Sequence, residues 1–468
     1  MATTVTSGSA AAPAPAPHVL LVPYPARGHM QPLLHLASRL AAAGLRLTVV
    51  ATTATLHLLS PLLAEHPSSV SPLSFPSFEH DTSGPTSVGA DIHGLAKLRE
   101  PLAEWVRARS GGEGRVVAVL SDFFCGWTQP LAAGAGVPRL VFAPSGVLAT
   151  AATHSLFRRM PRPPPADAAA GSEYAVEFPG LPGAPAFPWR QLSRMYRSYV
   201  EGHGGEHAEA INSNFLWNLE SSAFVCNTSR ALEGSYLEAQ PLEDLAGKRV
   251  WAVGPVAPES ADDESAGEVT RWLDTFPDAA VAYVSFGTMM TLPPPHAASF
   301  AAALERSSTP FVWAASTTML PEGFEERAAS SGNGLVIRGW APQTSVLRHR
   351  AVGCFVTHCG WNSVMEAAAA GVPMLAWPMA ADQFFNARLV VDEARVGVPV
   401  SLGGFVHVPD ADELAAVLGE VVGNGEAGSE LRARTMELAA RMAEAVREDG
   451  SSRRDLDGMV RELWMLGS

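Results

Sequence analysis

Short apolar runs alternate with amphipathic segments along most of this chain, and that alternation limits the fold more than any other feature of the sequence. An apolar run at 18–24 precedes leucines at helical spacing over 31–44, and a second apolar run follows at 45–52. A strand, a helix and a strand within about 35 residues form a βαβ unit, whose two strands are parallel. The pattern therefore predicts an α/β fold built on parallel sheet.

The alternation occurs twice, and an acidic stretch separates the two series. Residues 258–268 contain five acidic side chains and no large apolar one, a composition typical of a solvated linker. The chain has 468 residues, which is too long for one compact core. We therefore expect two doubly wound domains with a cleft between them. The predicted boundaries are a disordered tail at 1–17, a first domain at 18–255, the linker at 256–270, a second domain at 271–450 and a C-terminal helix at 451–468.

The predicted C-terminal helix carries an apolar stripe along one face. A stripe of this kind on an amphipathic helix has to be buried against another part of the protein. We expect the helix to pack back against the first domain. The residues of the stripe are Leu456, Met459, Val460, Leu463 and Trp464.

Charge and cysteine usage exclude several classes of protein. A formal net charge of -14 is unfavourable for binding nucleic acid or an anionic membrane surface. The segment 1–17 has no basic residue and no long apolar run, so we expect neither a signal peptide nor a membrane anchor. No later run reaches the ~18 apolar residues of a membrane span. The four cysteines follow no framework spacing, which favours a reducing compartment, and we expect a cytoplasmic protein.

A polar and aromatic cluster precedes a plain alanine-rich helix in VTHCGWNSVMEAAAAG, residues 356–371. A metal site is disfavoured because the chain has no CxxC pair and no second cluster of ligands. A catalytic thiol at Cys359 has no base arranged beside it in the sequence. A dinucleotide loop is disfavoured because no GxGxxG motif occurs.

An anion bound at the N-terminus of this helix is the functional interpretation that remains. A helix starting near Asn362 or Ser363 would direct its free N–H groups out of the carboxyl end of the sheet, and Gly360 would let a ligand approach the backbone. The alternative needs no ligand, because Ser363 and Glu366 also fit the S-x-x-E pattern of a capping box. The cluster alone does not decide between the two.

The surroundings of the cluster resemble a known family. Residues 340–383 contain WAPQ, then HCGWNS, a glutamate three residues after that serine, and a final DQ. This segment closely resembles the signature box of the plant UDP-dependent glycosyltransferases of secondary metabolism, and GHMQP, SDFF and YVSFGT extend the resemblance over most of residues 18–466. It implies two facing Rossmann-like domains, the GT-B fold, and transfer of glucose from UDP-glucose to a hydroxyl group.

The resemblance also implies which residues would bind the UDP-sugar donor. A flat aromatic ring suits a base, a carboxylate suits a vicinal diol, and a helix N-terminus suits a phosphate without a metal. The implied donor-binding residues are Trp340 at the uracil, Gln343 at the uridine, Glu366 at the ribose, Thr288, His358, Asn362 and Ser363 at the diphosphate, Trp361, Asp382 and Gln383 at the sugar, and Ala341 as a further one.

A catalytic pair at the carboxyl edge of the first sheet is implied in the same way. His29 follows the first strand in the predicted loop PARGHMQP, at the family's position for the general base, and Asp122 ends a predicted strand at 115–122. Asp122 would accept a hydrogen bond from the imidazole and stabilise the imidazolium. A single in-line displacement would then invert the anomeric centre. From the residues alone, His29 can be an ordinary loop histidine and Asp122 a turn cap.

Loops of the first domain are expected to bind a small aromatic acceptor, phenolic or flavonoid. In the family, a terminal glutamine such as Gln383 accompanies a preference for glucose. The candidate side chains for the acceptor, each of which can equally belong to the core, are Phe123, Phe124, Trp127, Phe142 and Trp189.

The expected partners are therefore a UDP-sugar and an aromatic acceptor. We expect no metal or other cofactor, no nucleic acid, no membrane span and a monomer. A nucleotide-sugar-binding protein without catalysis is an alternative that would lack His29 or Asp122, and both are present. A nicotinamide oxidoreductase is disfavoured by the missing glycine fingerprint.

Overall fold

Two parallel β-sheets form the frame of the structure, a computed structural model that describes residues 15–77, 88–163, 174–257, 267–287, 290–423 and 425–468. Most of the predicted tail and acidic linker therefore lies outside the described residues. The strands of the first half are β1 (His18–Val22), β2 (Arg46–Thr52), β3 (Val70–Phe75), β4 (Val116–Asp122), β5 (Arg139–Ala143), β6 (Ala175–Glu177), β7 (Ala186–Pro188), β8 (Ala223–Cys226) and β9 (Arg249–Ala252). Seven of them form a sheet in the order β3-β2-β1-β4-β5-β8-β9, and β6 and β7 form an antiparallel hairpin.

The second sheet has six strands, all of them parallel to their neighbours. These strands are β10 (Val281–Ser285), β11 (Phe311–Ala314), β12 (Gly334–Ile337), β13 (Val352–Thr357), β14 (Met374–Ala376) and β15 (Gly397–Pro399). Their order in space is β12-β11-β10-β13-β14-β15. The predicted α/β fold with two Rossmann-like parallel sheets is confirmed.

Helices connect the parallel strands, as crossover connections require. In the first half they are α1 (Arg27–Ala42), α2 (Ser60–Glu65), α3 (Val88–Leu95), α4 (Arg99–Arg107), α5 (Thr128–Gly134), α6 (Val147–Arg159), α7 (Arg194–Val200), α8 (Gly205–Glu220) and α9 (Arg230–Glu238). In the second half they are α10 (Gly267–Leu273), α11 (Pro294–Ser307), α12 (Phe324–Ser331), α13 (Gln343–Leu347), α14 (Trp361–Ala370), α15 (Gln383–Arg388), α16 (Ala411–Val421), α17 (Glu426–Val446) and α18 (Ser451–Gly467).

Each sheet reverses its strand order at one internal pair of strands. In the first sheet the chain winds outward from β1 toward β3 and then continues on the other side from β4, so β1 and β4 are neighbours. In the second sheet β10 and β13 are neighbours for the same reason. Loops at the carboxyl ends of such a pair diverge and leave a crevice, which is where open α/β sheets bind ligands.

Side chains of the central strands are buried on both faces of each sheet, which explains why these strands are continuous apolar runs. In β1, Val19 and Leu21 belong to the apolar cluster on one face of the first sheet. Leu20 and Val22 belong to the cluster on the opposite face. The alternation follows from the two-residue period of a strand.

The C-terminal helix α18 packs against the first sheet. A Cβ atom at Gly458 would lie only 2.7 Å from the Trp251 ring, so a glycine at this position lets the helix approach β9 closely. The Asp455 carboxylate accepts a hydrogen bond from the Ala252 backbone N–H at 3.1 Å, which fixes the register of the contact. The apolar side chains buried in the same cluster as β1 are Leu456, Met459, Val460 and Leu463, with Trp464 at its edge.

Truncating this interface tests the packing of α18. Leu463 is 2% exposed and Met465, two residues later, is 67% exposed. We expect Leu463→Ala to lower the free energy of unfolding by about 2–5 kcal/mol, since it removes a buried side chain and leaves a cavity. Met465→Ala is the matched control and should change it by less than about 0.5 kcal/mol. Urea titrations measure both, and equal midpoints for the two variants would contradict the packing.

Candidate active site

A cleft of about 1550 Å³ lies between the carboxyl ends of the two sheets. The first half of the chain lines it with the loop after β1, the residues after β4 and the N-terminus of α6. The second half contributes the loop after β12 and the N-termini of α14 and α15. Every described residue that was predicted as catalytic or donor-binding lines this cleft, except Asp122, which lies behind His29. Thr288 lies outside the described residues.

His29 lies in the first turn of α1, so its predicted position in a loop is wrong. The helix begins at Arg27, earlier than the predicted start at 31. The His29 Nδ1 atom lies 3.0 Å and 3.2 Å from the two carboxylate oxygens of Asp122. The imidazole is 21% exposed and Asp122 is fully buried. Because a carboxylate only accepts, Nδ1 is the donor of this hydrogen bond, and in the neutral ring Nε2 then has the lone pair.

The pair forms because β1 and β4 are adjacent at the point where the strand order reverses. Asp122 is the last residue of β4, and His29 follows β1 on the neighbouring loop and helix. The backbone N–H of Phe124 also donates to Asp122 Oδ1 at 2.8 Å, which fixes the carboxylate. Asp122 therefore accepts hydrogen bonds both from the local turn and from His29, so the turn-cap geometry does not exclude the pairing.

Aromatic rings surround His29 on the side of the first sheet. The imidazole stacks on the rings of Phe123 and Phe124, with centroids 5.4 Å and 5.0 Å away. The Tyr24 ring lies 5.1 Å from the imidazole in a tilted arrangement. All three aromatic residues line the cleft, together with Phe215. The base candidate thus stands at the edge of an apolar, aromatic wall.

Three of the aromatic side chains predicted for the acceptor lie in the core instead, and this corrects the prediction. Phe142 is fully buried in the cluster on the face of the first sheet covered by α1 and α18. Trp127 and Trp189 are buried in the cluster on the opposite face. None of the three lines the cleft. Composition alone could not separate pocket from core, because both are aromatic and apolar.

The helix of the signature segment, α14, begins at Trp361 after the N-cap residue Gly360, which has no side chain to cap it. The capping-box alternative is therefore wrong. Ser363 is in the first turn, and Glu366 accepts a hydrogen bond from Gln343 Nε2 at 2.8 Å. The first N–H groups of a helix have no acceptor within it, and here they border the cleft. The helix end is thus open to an anion.

His358 is held between two glycines beside this helix end. A Cβ atom would lie 2.5 Å from the His358 Nε2 atom at Gly360 and 2.9 Å from it at Gly287. Gly360 was predicted to let a ligand approach the backbone. The structure gives the missing side chain a second reason, because it makes room for the His358 imidazole. Burial lowers the pKa of His358 to about 4. The ring is therefore neutral at pH 7 and is available for hydrogen bonding rather than as a cation.

At one end of the cleft, Trp340 is 49% exposed on the loop after β12. Gln343 begins α13 nearby; its Oε1 accepts from the Tyr283 hydroxyl at 3.3 Å and its Nε2 donates to Glu366. Burial raises the pKa of Glu366. Ala341 lines the cleft between Trp340 and Gln343. The predicted binding residues for a nucleoside are thus brought together.

At the other end, Asp382 and Gln383 stand at the start of α15. The Gln383 Oε1 atom accepts from the backbone N–H groups of Met379 and Ala380 at 2.8 Å and 2.9 Å. These two donors identify the oxygen of the amide, so its NH₂ group is the one left for a ligand. The Asp382 Oδ2 atom accepts from the Ser145 hydroxyl of the opposite half at 2.9 Å.

Hydrogen bonds join the two halves of the chain across the cleft. Pro32 in α1 has no N–H, so the Gly28 carbonyl one turn earlier lacks its helical donor. Asn362 Nδ2 donates to that carbonyl at 2.8 Å. The indole N–H of Trp361 donates to the Asn227 carbonyl at 2.7 Å. Sequence analysis missed these contacts, and the proline inside a helical pattern was the one signal that marked a free carbonyl.

Neither a metal nor a thiol finds support at the signature cluster. Within the described ranges, no three His, Cys, Asp or Glu side chains are grouped in a way that could hold a metal ion. The four cysteines are unpaired and buried. Burial raises the pKa of Cys359, so its reactive thiolate form is disfavoured at neutral pH.

No helix in the described part of the chain is long and apolar enough to cross a membrane.

Comparison with known proteins agrees with this geometry. The protein-family model described as UDP-glucoronosyl and UDP-glucosyl transferase matches residues 252–424. Flavonol 3-O-glucosyltransferase UGT89B1 of Arabidopsis thaliana is 41% identical, with 96% of this chain and 97% of that protein covered. Crystal structures of Arabidopsis thaliana UGT89C1 complexed with UDP-L-rhamnose and with quercetin are 32% identical, with TM-scores of 0.75 and 0.74. Each match covers 96% of this chain and 99% of the chain in the crystal structure.

Two facing parallel sheets with a cleft at their carboxyl edges define a GT-B protein. The relatives matched over nearly the full chain then place it more narrowly: it belongs to the plant UDP-glycosyltransferases. It is a transferase, and the predicted family, fold and enzyme class are confirmed.

Thiol-blocking experiments test the exclusion of a cysteine nucleophile. Burial raises the pKa of all four thiols, and Cys354 reaches about 12. The folded protein should therefore resist iodoacetamide at pH 8 and keep its activity. The unfolded protein, as the control, should take up one label per cysteine by mass spectrometry. Rapid labelling of one cysteine in the folded protein with loss of activity would restore the thiol hypothesis.

Proposed function

We propose that this protein is an inverting O-glucosyltransferase that moves glucose from UDP-glucose to a hydroxyl group of a small phenolic or flavonoid acceptor. One observation carries the proposal: His29, paired with the buried Asp122, shares a cleft with the open N-terminus of α14. The hydrogen bond from Asn362 to Gly28 makes the two helix ends neighbours. A base and a site for a leaving diphosphate are therefore adjacent.

In this mechanism His29 is the general base. Asp122 keeps the proton on Nδ1, and Nε2 takes the proton of the acceptor hydroxyl while its oxygen attacks the anomeric carbon. The carboxylate of Asp122 stabilises the imidazolium that forms. The bond from the anomeric carbon to the diphosphate oxygen breaks, and its electron pair leaves with UDP. A single displacement inverts the centre, so an α-linked donor gives a β-glucoside.

The donor lies along the second sheet, from Trp340 to the start of α15. The exposed ring of Trp340 supports a stacked uracil, and the neutral His358 beside the helix end supports a diphosphate held by hydrogen bonds. Because the α14 N-terminus stabilises the leaving charge, the reaction needs no metal or other cofactor. The proposed donor-binding residues are Trp340, Ala341, Gln343, Glu366, Thr288, His358, Asn362, Ser363, Trp361, Asp382 and Gln383.

The preference for glucose rests on the two residues that begin α15. The amide NH₂ of Gln383 can donate to a sugar oxygen, whereas its oxygen is occupied by backbone N–H groups. The Asp382 Oδ1 atom remains to accept from a sugar hydroxyl, since Oδ2 is bound to Ser145. One donor and one acceptor side by side distinguish sugars that differ at adjacent hydroxyls.

A flat aromatic acceptor is supported by the wall beside His29. The rings of Phe123 and Phe124 lie next to the imidazole, and Phe215 extends the same surface. The similar proteins include a flavonol 3-O-glucosyltransferase and a protein that was crystallised as a complex with quercetin. A phenolic hydroxyl resting on this wall would point at Nε2 of His29.

We also propose that the enzyme acts as a monomer in the cytoplasm. The cleft draws its base and its donor-binding residues from one chain, so no second copy is needed to complete it. The four unpaired cysteines are typical of a reducing compartment.

Variants of the pair test the proposed base. His29→Ala is expected to lower kcat by about 10²–10⁴-fold, because the acceptor loses its base, while UDP affinity measured by calorimetry stays unchanged. Asp122→Asn should lower kcat less than His29→Ala does. The loss of kcat in the double variant should be much smaller than the product of the two single losses, since the residues act as a unit. Turnover of quercetin measures each rate. Near-normal kcat in His29→Ala would refute the base, and fully multiplicative effects would refute the pair.

Donor choice is tested by competition. With UDP-glucose, UDP-galactose, UDP-xylose and UDP-rhamnose at equal concentration and with EDTA present throughout, we expect glucose to dominate the product. Gln383→Glu keeps an oxygen for the Met379 and Ala380 N–H groups but replaces the NH₂ group that faces the sugar. It should lower glucose transfer about 10–100-fold and leave UDP affinity intact. Equal use of the four donors would refute the preference, and no transfer in EDTA would refute metal independence.

A further inference from the structure

Arg27 reaches across the cleft to the exposed Trp340. Its guanidinium carbon lies 3.6 Å from the centroid of the Trp340 ring. Arg27 is the first residue of α1, beside the first sheet, and Trp340 follows β12 of the second sheet. A cation over an indole face is attractive because the face is negative. Since Arg27 comes from the opposite wall, the face it covers is the one turned to the cleft.

The charge of Arg27 has no acidic partner within the described residues. The carboxylates of Glu366 and Asp382, which line the same cleft, accept hydrogen bonds from neutral side chains. An arginine side chain stays protonated under all physiological conditions. Among the described residues, the positive charge of Arg27 is therefore held by the Trp340 ring alone.

The proposed diphosphate site lies within reach of this side chain. Gly28, the next residue, accepts the hydrogen bond from Asn362 at the α14 N-terminus at 2.8 Å. Consecutive Cα atoms are about 3.8 Å apart, so the Arg27 side chain starts about one residue from the helix end. A guanidinium pairs with phosphate through two parallel hydrogen bonds, which an indole cannot offer.

We propose that Arg27 is a donor-binding residue with two positions. Without nucleotide it lies on the cleft face of Trp340; when a UDP-sugar binds, the uracil takes that face and Arg27 pairs with the diphosphate. The inference rests on the proposed function, because it uses the same stacking ring and the same helix end. It adds a positive charge to a site that otherwise consists of neutral donors, and it couples base stacking to phosphate binding.

Calorimetry with uridine and UDP tests this role. Arg27→Met should weaken UDP binding about tenfold by removing the charged partner, while uridine binds as well as or better than before because Trp340 is uncovered. The ratio of the two affinities should therefore fall at least tenfold. Arg27→Lys keeps a charge for the phosphate and should retain most of the ratio.

Arg109→Met is the matched control, since Arg109 lies 3.9 Å over the Trp105 ring and neither residue lines the cleft. It should leave both affinities unchanged. An unchanged ratio of the two affinities in Arg27→Met would overturn the proposal. A residue that only covers the ring, or that has only a structural role, would change the affinities for uridine and UDP by the same factor. If the unaltered protein bound UDP no better than uridine, the diphosphate site itself would be refuted, which is a separate failure.

Discussion

The active site depends on two helix N-termini that face each other across one cleft. The first is that of α1, which carries His29, and the second is that of α14, which presents free N–H groups. Each follows a strand at the point where its parallel sheet reverses strand order, and such points always leave an opening at the carboxyl edge. In a parallel sheet the carboxyl ends of all strands point the same way. When the carboxyl ends of two such sheets face each other, both openings contribute to a single cavity.

This arrangement explains how a chain with a net charge of -14 can bind an anionic donor. Overall charge acts weakly beyond about 8–10 Å at physiological salt, so the local groups decide. Near the α14 end these groups are backbone N–H dipoles and the neutral His358 ring. Burial also raises the pKa of Glu366, because a buried carboxylate loses the hydration that stabilises its charged form. The net charge of the whole chain therefore does not decide whether this site can accept an anion.

The sequence predicted the parts of this enzyme that arise from local pattern. Strand and helix periodicity gave the two parallel sheets, and the signature segment led to the residues that the cleft collects. Tertiary packing decided the rest. The pocket or core location of Phe142 and Trp189 depends on which sheet face is covered, and the contacts of Asn227 and Ser145 involve residues more than 100 positions away. Short strands such as β6, β7 and β15 have too few residues for a periodic signal.

The path of the C-terminal helix has a consequence for the cleft. The chain leaves the first sheet after β9 and returns to it through α18, so the second sheet and its helices are attached to the first half at two places. On the cleft side, the two halves are joined by noncovalent contacts such as the hydrogen bond from Asn362 to the Gly28 carbonyl. Loss of that contact would separate His29 from the α14 N-terminus, so the arrangement of the candidate site depends on how the two halves of the chain are held together.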